Sequence, residues 1–97
     1  VIHGGAVHLS TDYVGPSAPR SYGLVCLPEG GSWGAPLEGA YVRGLSQEHG
    51  ILHVRPEDIG RFEIGGLVCI LPAHSCLTVA CMRRYVTLDG EMIEAMP

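Results

Sequence analysis

Apolar and polar positions alternate with a period of two over several short stretches, which is the pattern of half-buried strands. Residues 5–10 (Gly-Ala-Val-His-Leu-Ser) read this way and predict a first strand. Residues 15–19 follow as a loop by composition, being rich in Gly, Pro and Ser. Residues 22–27 predict a second strand, closed by Pro28-Glu29-Gly30-Gly31-Ser32. Residues 38–45 predict a third, with Tyr41, Arg43 and Leu45 on one face and Ala40 and Val42 on the other. Residues 50–54 predict a fourth, stopped at Arg55-Pro56.

Pro56-Glu57-Asp58-Ile59 suits one helical turn with proline at its first position. Gly65-Gly66 turns the chain into residues 67–71, apolar on both faces, which predict a central strand. Residues 76–82 fit a strand or a short helix. At the end, residues 84–88 and 91–95 flank Asp89-Gly90, the signal of a two-residue type I′ hairpin. That turn sets Leu88 opposite Glu91 and Val86 opposite Ile93, so Val86, Leu88 and Ile93 share an apolar face. The expected architecture is mostly β, a small sheet or barrel-like domain. Six or seven short strands and at most one or two helical turns follow from the same reading.

Composition narrows the partners. The 97 residues are 46% apolar and 16% charged, without linker, repeat or low-complexity run, and make a single domain. So little charge leaves much of the surface uncharged, as suits a face covered by something else. The net charge is −4, and all six basic residues are arginines, of which only Arg83 and Arg84 are adjacent. No stripe exists to neutralise phosphates, which argues against nucleic acid and anionic membranes as partners. No run approaches the roughly 18 apolar residues that a spanning helix needs. The expectation is a soluble chain, and its start at Val1-Ile2 without an initiating Met suits an excised piece.

The cysteines are Cys26, Cys69, Cys76 and Cys81. Cys69 sits in an apolar run and no Cys-x-x-Cys occurs, so a buried thiol and a reducing, cytoplasmic setting are expected. Lysine is absent. Chemistry that needs a lysine Schiff base therefore requires a residue from outside this chain.

His74-Ser75-Cys76 is the sharpest candidate for chemistry. In extended backbone, residues i and i+2 project to the same face about 7 Å apart. Imidazole and thiolate so placed can turn onto one ion, with bonds of roughly 2.0–2.3 Å for zinc. This donor pair favours zinc over magnesium or calcium, and two ligands leave an open shell of the catalytic kind. The plainer alternative is a hydrogen-bonded loop histidine beside a buried cysteine. Glu48-His49, within Ser46-Gln47-Glu48-His49-Gly50, is a second candidate, able to orient a ligand or tune a proton donor. Its alternative is a polar turn between two strands. His3, His8 and His53 read as structural residues, and Trp33 as either a loop anchor for a partner or local packing. Gly4-Gly5 precedes a predicted strand, not the helix that a phosphate site needs, and no serine nucleophile elbow is present.

Three segments in order resemble the C-terminal domain of the D-serine dehydratase/D-threonine aldolase family. They are Gly4-Gly5-Ala6-Val7-His8-Leu9-Ser10-Thr11-Asp12, then Gly44-Leu45-Ser46-Gln47-Glu48-His49-Gly50-Ile51-Leu52. The third runs from Phe62-Glu63-Ile64-Gly65 through Val68-Cys69-Ile70-Leu71-Pro72 to His74-Ser75-Cys76-Leu77-Thr78-Val79. The resemblance implies a two-domain parent in which residues 1–97 form a single C-terminal β domain. An N-terminal alanine-racemase-like (β/α) barrel would hold pyridoxal phosphate on a lysine. The β domain would bring zinc or another divalent metal to the cofactor on His74 and Cys76, with Glu48 and His49 towards the second shell or the substrate.

The resemblance further implies a β-hydroxy-D-amino acid substrate and a homodimeric parent. The metal would bind the substrate β-hydroxyl, either as a leaving group in dehydration or as the acidified group in aldol cleavage. The aldolase branch carries Asp where Cys76 stands, so dehydration of D-serine to pyruvate and ammonia is favoured and D-threonine-type cleavage comes next. The rival from a different class is a non-catalytic β module for binding or oligomerisation, with His74 and Cys76 structural.

Overall fold

The period-two stretches pair as antiparallel strands, and one five-stranded sheet carries the domain. In the computed structural model it comprises β1 (Ile2–His3), β2 (Gly23–Cys26), β5 (Tyr41–Leu45), β6 (His49–His53) and β7 (Cys69–Pro72). Their order is β1-β6-β5-β2-β7, with every neighbour antiparallel. Two hairpins flank it, β3 (Pro28–Glu29) with β4 (Ser32–Trp33), and β8 (Arg84–Val86) with β9 (Met92–Glu94). The structure describes residues 1–15 and 20–94. Most of the loop read at 15–19, and residue 95 of the last predicted strand, lie outside the described residues. No helix among the described residues is long and apolar enough to cross a membrane.

The core is small and central. Val25 and Cys26 of β2 and Ala40 and Val42 beside and within β5 are its buried apolar residues. Burying this modest set leaves many large apolar side chains outside, including Val1, Ile64, Leu67 and Leu88. The sheet curls so that β1 and β7, its two edges, both line one concavity of about 820 Å³ with Leu52, Ile59 and Phe62. The apolar run 67–71 therefore gives an edge strand, not the expected central one. Its second apolar side belongs to this concavity, where Ile70 lines the wall, and not to another strand.

Residues 5–10 depart furthest from expectation. They form a one-turn helix, α1 (Ala6–Leu9), in place of a strand. Tertiary partners satisfy the amides that so short a helix leaves open. Ala6 and Val7 donate to the carbonyls of Ser46 and Gln47 at 2.9 and 3.1 Å, and Gly5 donates to His8 Nδ1 at 3.0 Å. A Cβ at residue 5 would stand 2.5 Å from Ser46 O and His49 N, so only glycine permits this approach.

Pro56 opens a 3₁₀ helix over Pro56–Arg61, as its position implied. Asp58 is buried there between Arg55 Nε at 3.2 Å and Arg61 Nη1 at 3.4 Å. The ambiguous stretch resolves as a helix, α2 (Ser75–Met82), ended by Arg83 at φ 65°. With α1 and the 3₁₀ helix this exceeds the one or two helical turns expected, in a domain that is mostly β as expected.

The closing hairpin slips by one residue from its predicted register. Tyr85 faces Ile93 and Val86 faces Met92. Thr87 accepts from Gly90 N–H and donates to Glu91 O, so the loop has three residues, with only Gly90 at positive φ (88°). A type I′ turn needs positive φ at both central residues, and Asp89 does not supply it. Gly30 and Gly31 do, at φ 56° and 79°, and they make the two-residue turn between β3 and β4. One residue of slip reverses every side chain. Val86 and Leu88 are accordingly exposed and do not form the apolar face anticipated with Ile93.

Candidate functional site

The chain leaves β7 still tied to β2, because Ala73 N–H donates to Tyr22 O at 3.1 Å. His74 follows in extended conformation (φ −142°, ψ 101°) and serves as the N-cap residue of α2. Its side chain does not cap the helix. Instead Nδ1 lies 3.1 Å from Asp12 Oδ2, with both side chains about half exposed. An ionised carboxylate only accepts, so the proton of this bond sits on Nδ1. In the neutral ring the lone pair is then on Nε2.

Cys76 stands two residues on, exposed, in the first turn of α2. The expected extended geometry holds for His74 and fails for Ser75 and Cys76, which are helical. The helix forms because Thr78 N–H donates to His74 O at 3.2 Å, closing its first turn. Thr78 Oγ1 lies 3.3 Å from the carbonyl oxygens of both His74 and Leu9, so one hydroxyl joins α2 to α1.

Asp12 escaped the reading of the sequence. It lies 62 positions from His74, and no local spacing connects them. Its place at the end of segment 4–12, which the family resemblance picked out, is the one signal present in the sequence. Ser10 Oγ accepts Asp12 N–H at 3.2 Å, and Tyr13 packs edge-on against Tyr22, whose carbonyl holds Ala73.

Glu48 and His49 are exposed in and after the β5–β6 turn. Their backbone roles are clear, with Glu48 O accepting Gly4 N–H and His49 O accepting Ser46 N–H. Among the described residues no hydrogen bond, ion pair or ring contact links either to His74 or Cys76. His49 instead faces His3 across β1–β6, ring centroids 5.8 Å apart, and His3 meets His8 at 5.4 Å. His8 accepts from Gly5 N–H, and His53 Nδ1 donates to Gly39 O at 3.2 Å beside the stacked Tyr41. Trp33 is half exposed on β4.

Among the described residues no group of three or more His, Cys, Asp and Glu side chains is arranged to hold an ion. A free imidazole Nε2 and an exposed thiol on one short segment are nevertheless a donor set suited to one side of a zinc-type shell.

The family model described as "Putative serine dehydratase domain" matches residues 1–88. A D-serine dehydratase of Schizosaccharomyces pombe is 30% identical over 90 residues, covering 93% of this chain and 19% of that protein. D-threo-3-hydroxyaspartate dehydratase from Delftia sp. HT23 has a similar fold, with TM-score 0.68 and 30% identity over 95% of this chain and 26% of that one. A histidine-to-alanine variant of D-threo-3-hydroxyaspartate dehydratase matches at TM-score 0.67 and 29% identity, over 93% of this chain and 24% of that one. A cysteine-to-alanine variant in a metal-free form matches at 0.58 and 28%, over 93% and 25%. The two substituted positions are two residues apart. This chain thus spans about a fifth to a quarter of the length of these relatives. Matched over residues 1–88, it belongs to the serine dehydratase domain family.

Proposed function

We propose that this chain is the C-terminal, metal-ligand-bearing domain of a pyridoxal-phosphate lyase acting on a β-hydroxy-D-amino acid. The carrying observation is His74, whose Nδ1–H is engaged by Asp12 so that Nε2 is free, two residues before the exposed thiol of Cys76. The same His-x-Cys spacing separates the two positions substituted in the solved dehydratase variants, one of them metal-free. Both kinds of relative are dehydratases, which favours dehydration, D-serine to pyruvate and ammonia, over D-threonine-type aldol cleavage.

When bound, the metal supplies Lewis acidity at the substrate β-hydroxyl and pyridoxal phosphate supplies an electron sink for charge at the α-carbon. The part this chain plays is narrower. His74 Nε2 and Cys76 Sγ would hold the metal, zinc or another divalent ion. Asp12 holds the imidazole, and the exposure of His74 and Cys76 would leave a metal held there open to substrate. Without lysine, the chain takes its cofactor from the N-terminal barrel domain of a cytoplasmic, homodimeric parent.

The test uses the full-length protein. His74→Ala and Cys76→Ala should each lose bound zinc and turnover of D-serine while keeping the cofactor's absorbance. Borohydride reduction should place the pyridoxyl label on a peptide outside residues 1–97. Full activity of the metal-depleted protein, or of Cys76→Ala, would overturn the assignment and favour a structural role for this segment.

A further inference from the structure

We infer that Asp12 is a positioning residue for the metal-binding imidazole. It locks His74 in the Nδ1–H tautomer and turns Nε2 outward. The inference rests on the reading of His74 as a ligand and extends it to a residue 62 positions away.

Three observations carry it. The first is the bond itself, Asp12 Oδ2 to His74 Nδ1 at 3.1 Å, made with the nitrogen that a ligand through Nε2 does not need. A carboxylate on the far nitrogen of a ligating histidine selects the tautomer, sets the ring plane and raises the donor strength of Nε2. The second is a strained bend in the backbone two residues before the carboxylate. Ser10, the C-cap of α1, adopts φ 70° and ψ 176°, a region almost reserved for glycine. From that bend Ser10 Oγ takes the Asp12 N–H at 3.2 Å. Strain of this kind persists only where the surroundings over-determine it, and it gathers at functional sites.

The third is that the segments bearing the two residues are fastened to each other independently of the pair. Thr78 Oγ1 shares its one proton between Leu9 O and His74 O, each 3.3 Å away, and the Tyr13–Tyr22 ring contact leads to the Ala73 amide on Tyr22 O. The His–Asp bond is thus held in place from both sides. Stability alone does not account for the arrangement, since an exposed pair, 49% and 46% accessible, contributes little to folding.

The experiment measures zinc affinity by chelator competition in the full-length protein carrying its cofactor, for wild type, Asp12→Asn, Asp12→Ala and His74→Ala. Asp12→Asn is nearly isosteric at an exposed position, so folding is retained. Its amide oxygen still accepts the Nδ1 proton but without charge. A positioning role predicts a graded loss, with Asp12→Ala about 10- to 100-fold weaker and Asp12→Asn between it and wild type. With cobalt(II) in place of zinc, the thiolate charge-transfer band from Cys76 should persist in both variants while the ligand-field bands shift. Affinities of both Asp12 variants within about threefold of wild type, beside a His74→Ala protein that has lost its metal, would overturn this inference and leave the ligand assignment standing. Wild-type and His74→Ala proteins that hold zinc equally would instead sink the assignment on which it rests.

Discussion

Thr78 Oγ1 lies 3.3 Å from the carbonyl oxygen of Leu9, and this contact ties α2 to the one-turn helix at the other end of the chain. The same hydroxyl reaches the His74 carbonyl, so the residue fastens the Asp12 and His74 segments together. Thr78→Val keeps the shape and removes the hydrogen bond, leaving Leu9 O without that donor. A loss of about 1 kcal/mol is expected, the net worth of one such bond. Thermal melting of the parent protein checks it. Thr78→Ser should melt within a degree or two of wild type, and an unchanged Thr78→Val would show that the α1–α2 junction does not depend on this bond.

Gly5 occupies a position with no room for a side chain. A Cβ there would meet three backbone atoms, Ser46 O and His49 N at 2.5 Å and Gln47 O at 2.6 Å. Backbone cannot rotate aside as a flexible side chain can. Gly5→Ala is therefore expected to cost about 3 kcal/mol, the upper end for overpacking. Because α1 and the β5–β6 turn share this contact, soluble yield and melting temperature should fall together. A Gly5→Ala protein that melts like wild type would show that the turn moves away freely.

Cys26 faces Cys69 across β2–β7 and is fully buried. Burial pushes its thiol pKa up, and Cys69 adds to the rise. The unfolded chain releases this proton at the ordinary thiol value, about 8.5, while the folded chain still holds it. Between those two values the folded state binds more protons, so stability falls as pH rises. Melting curves from about pH 7 to pH 10 should show that slope, reduced in Cys26→Ala. Alkylation of the folded, metal-depleted protein should modify the exposed Cys76 and Cys81 first and Cys26 last. Early labelling of Cys26 would contradict its burial.

The mostly β class was written in the alternation at residues 22–27, 38–45 and 50–54, where β2, β5 and β6 form with shifted ends. Local chemistry also settled the helical start at Pro56, and the lack of lysine is a fact of sequence alone. The His-x-Cys pair, too, is legible as a spacing, because residue identity and separation need no fold. What spacing does not carry is a partner far along the chain. Residues 5–10 alternate like a strand, yet the carbonyls of Ser46 and Gln47 take the Ala6 and Val7 amides and make them helical. The run at 67–71 is apolar on both sides, yet only tertiary structure decides that one side faces a concavity and makes β7 an edge. Asp12 follows a local bend at Ser10 and meets His74 where Thr78 also reaches Leu9, contacts between remote segments that no period encodes. Local preferences are properties of a few adjacent residues, whereas the orientation of His74 depends on a fold that closes 62 residues of chain.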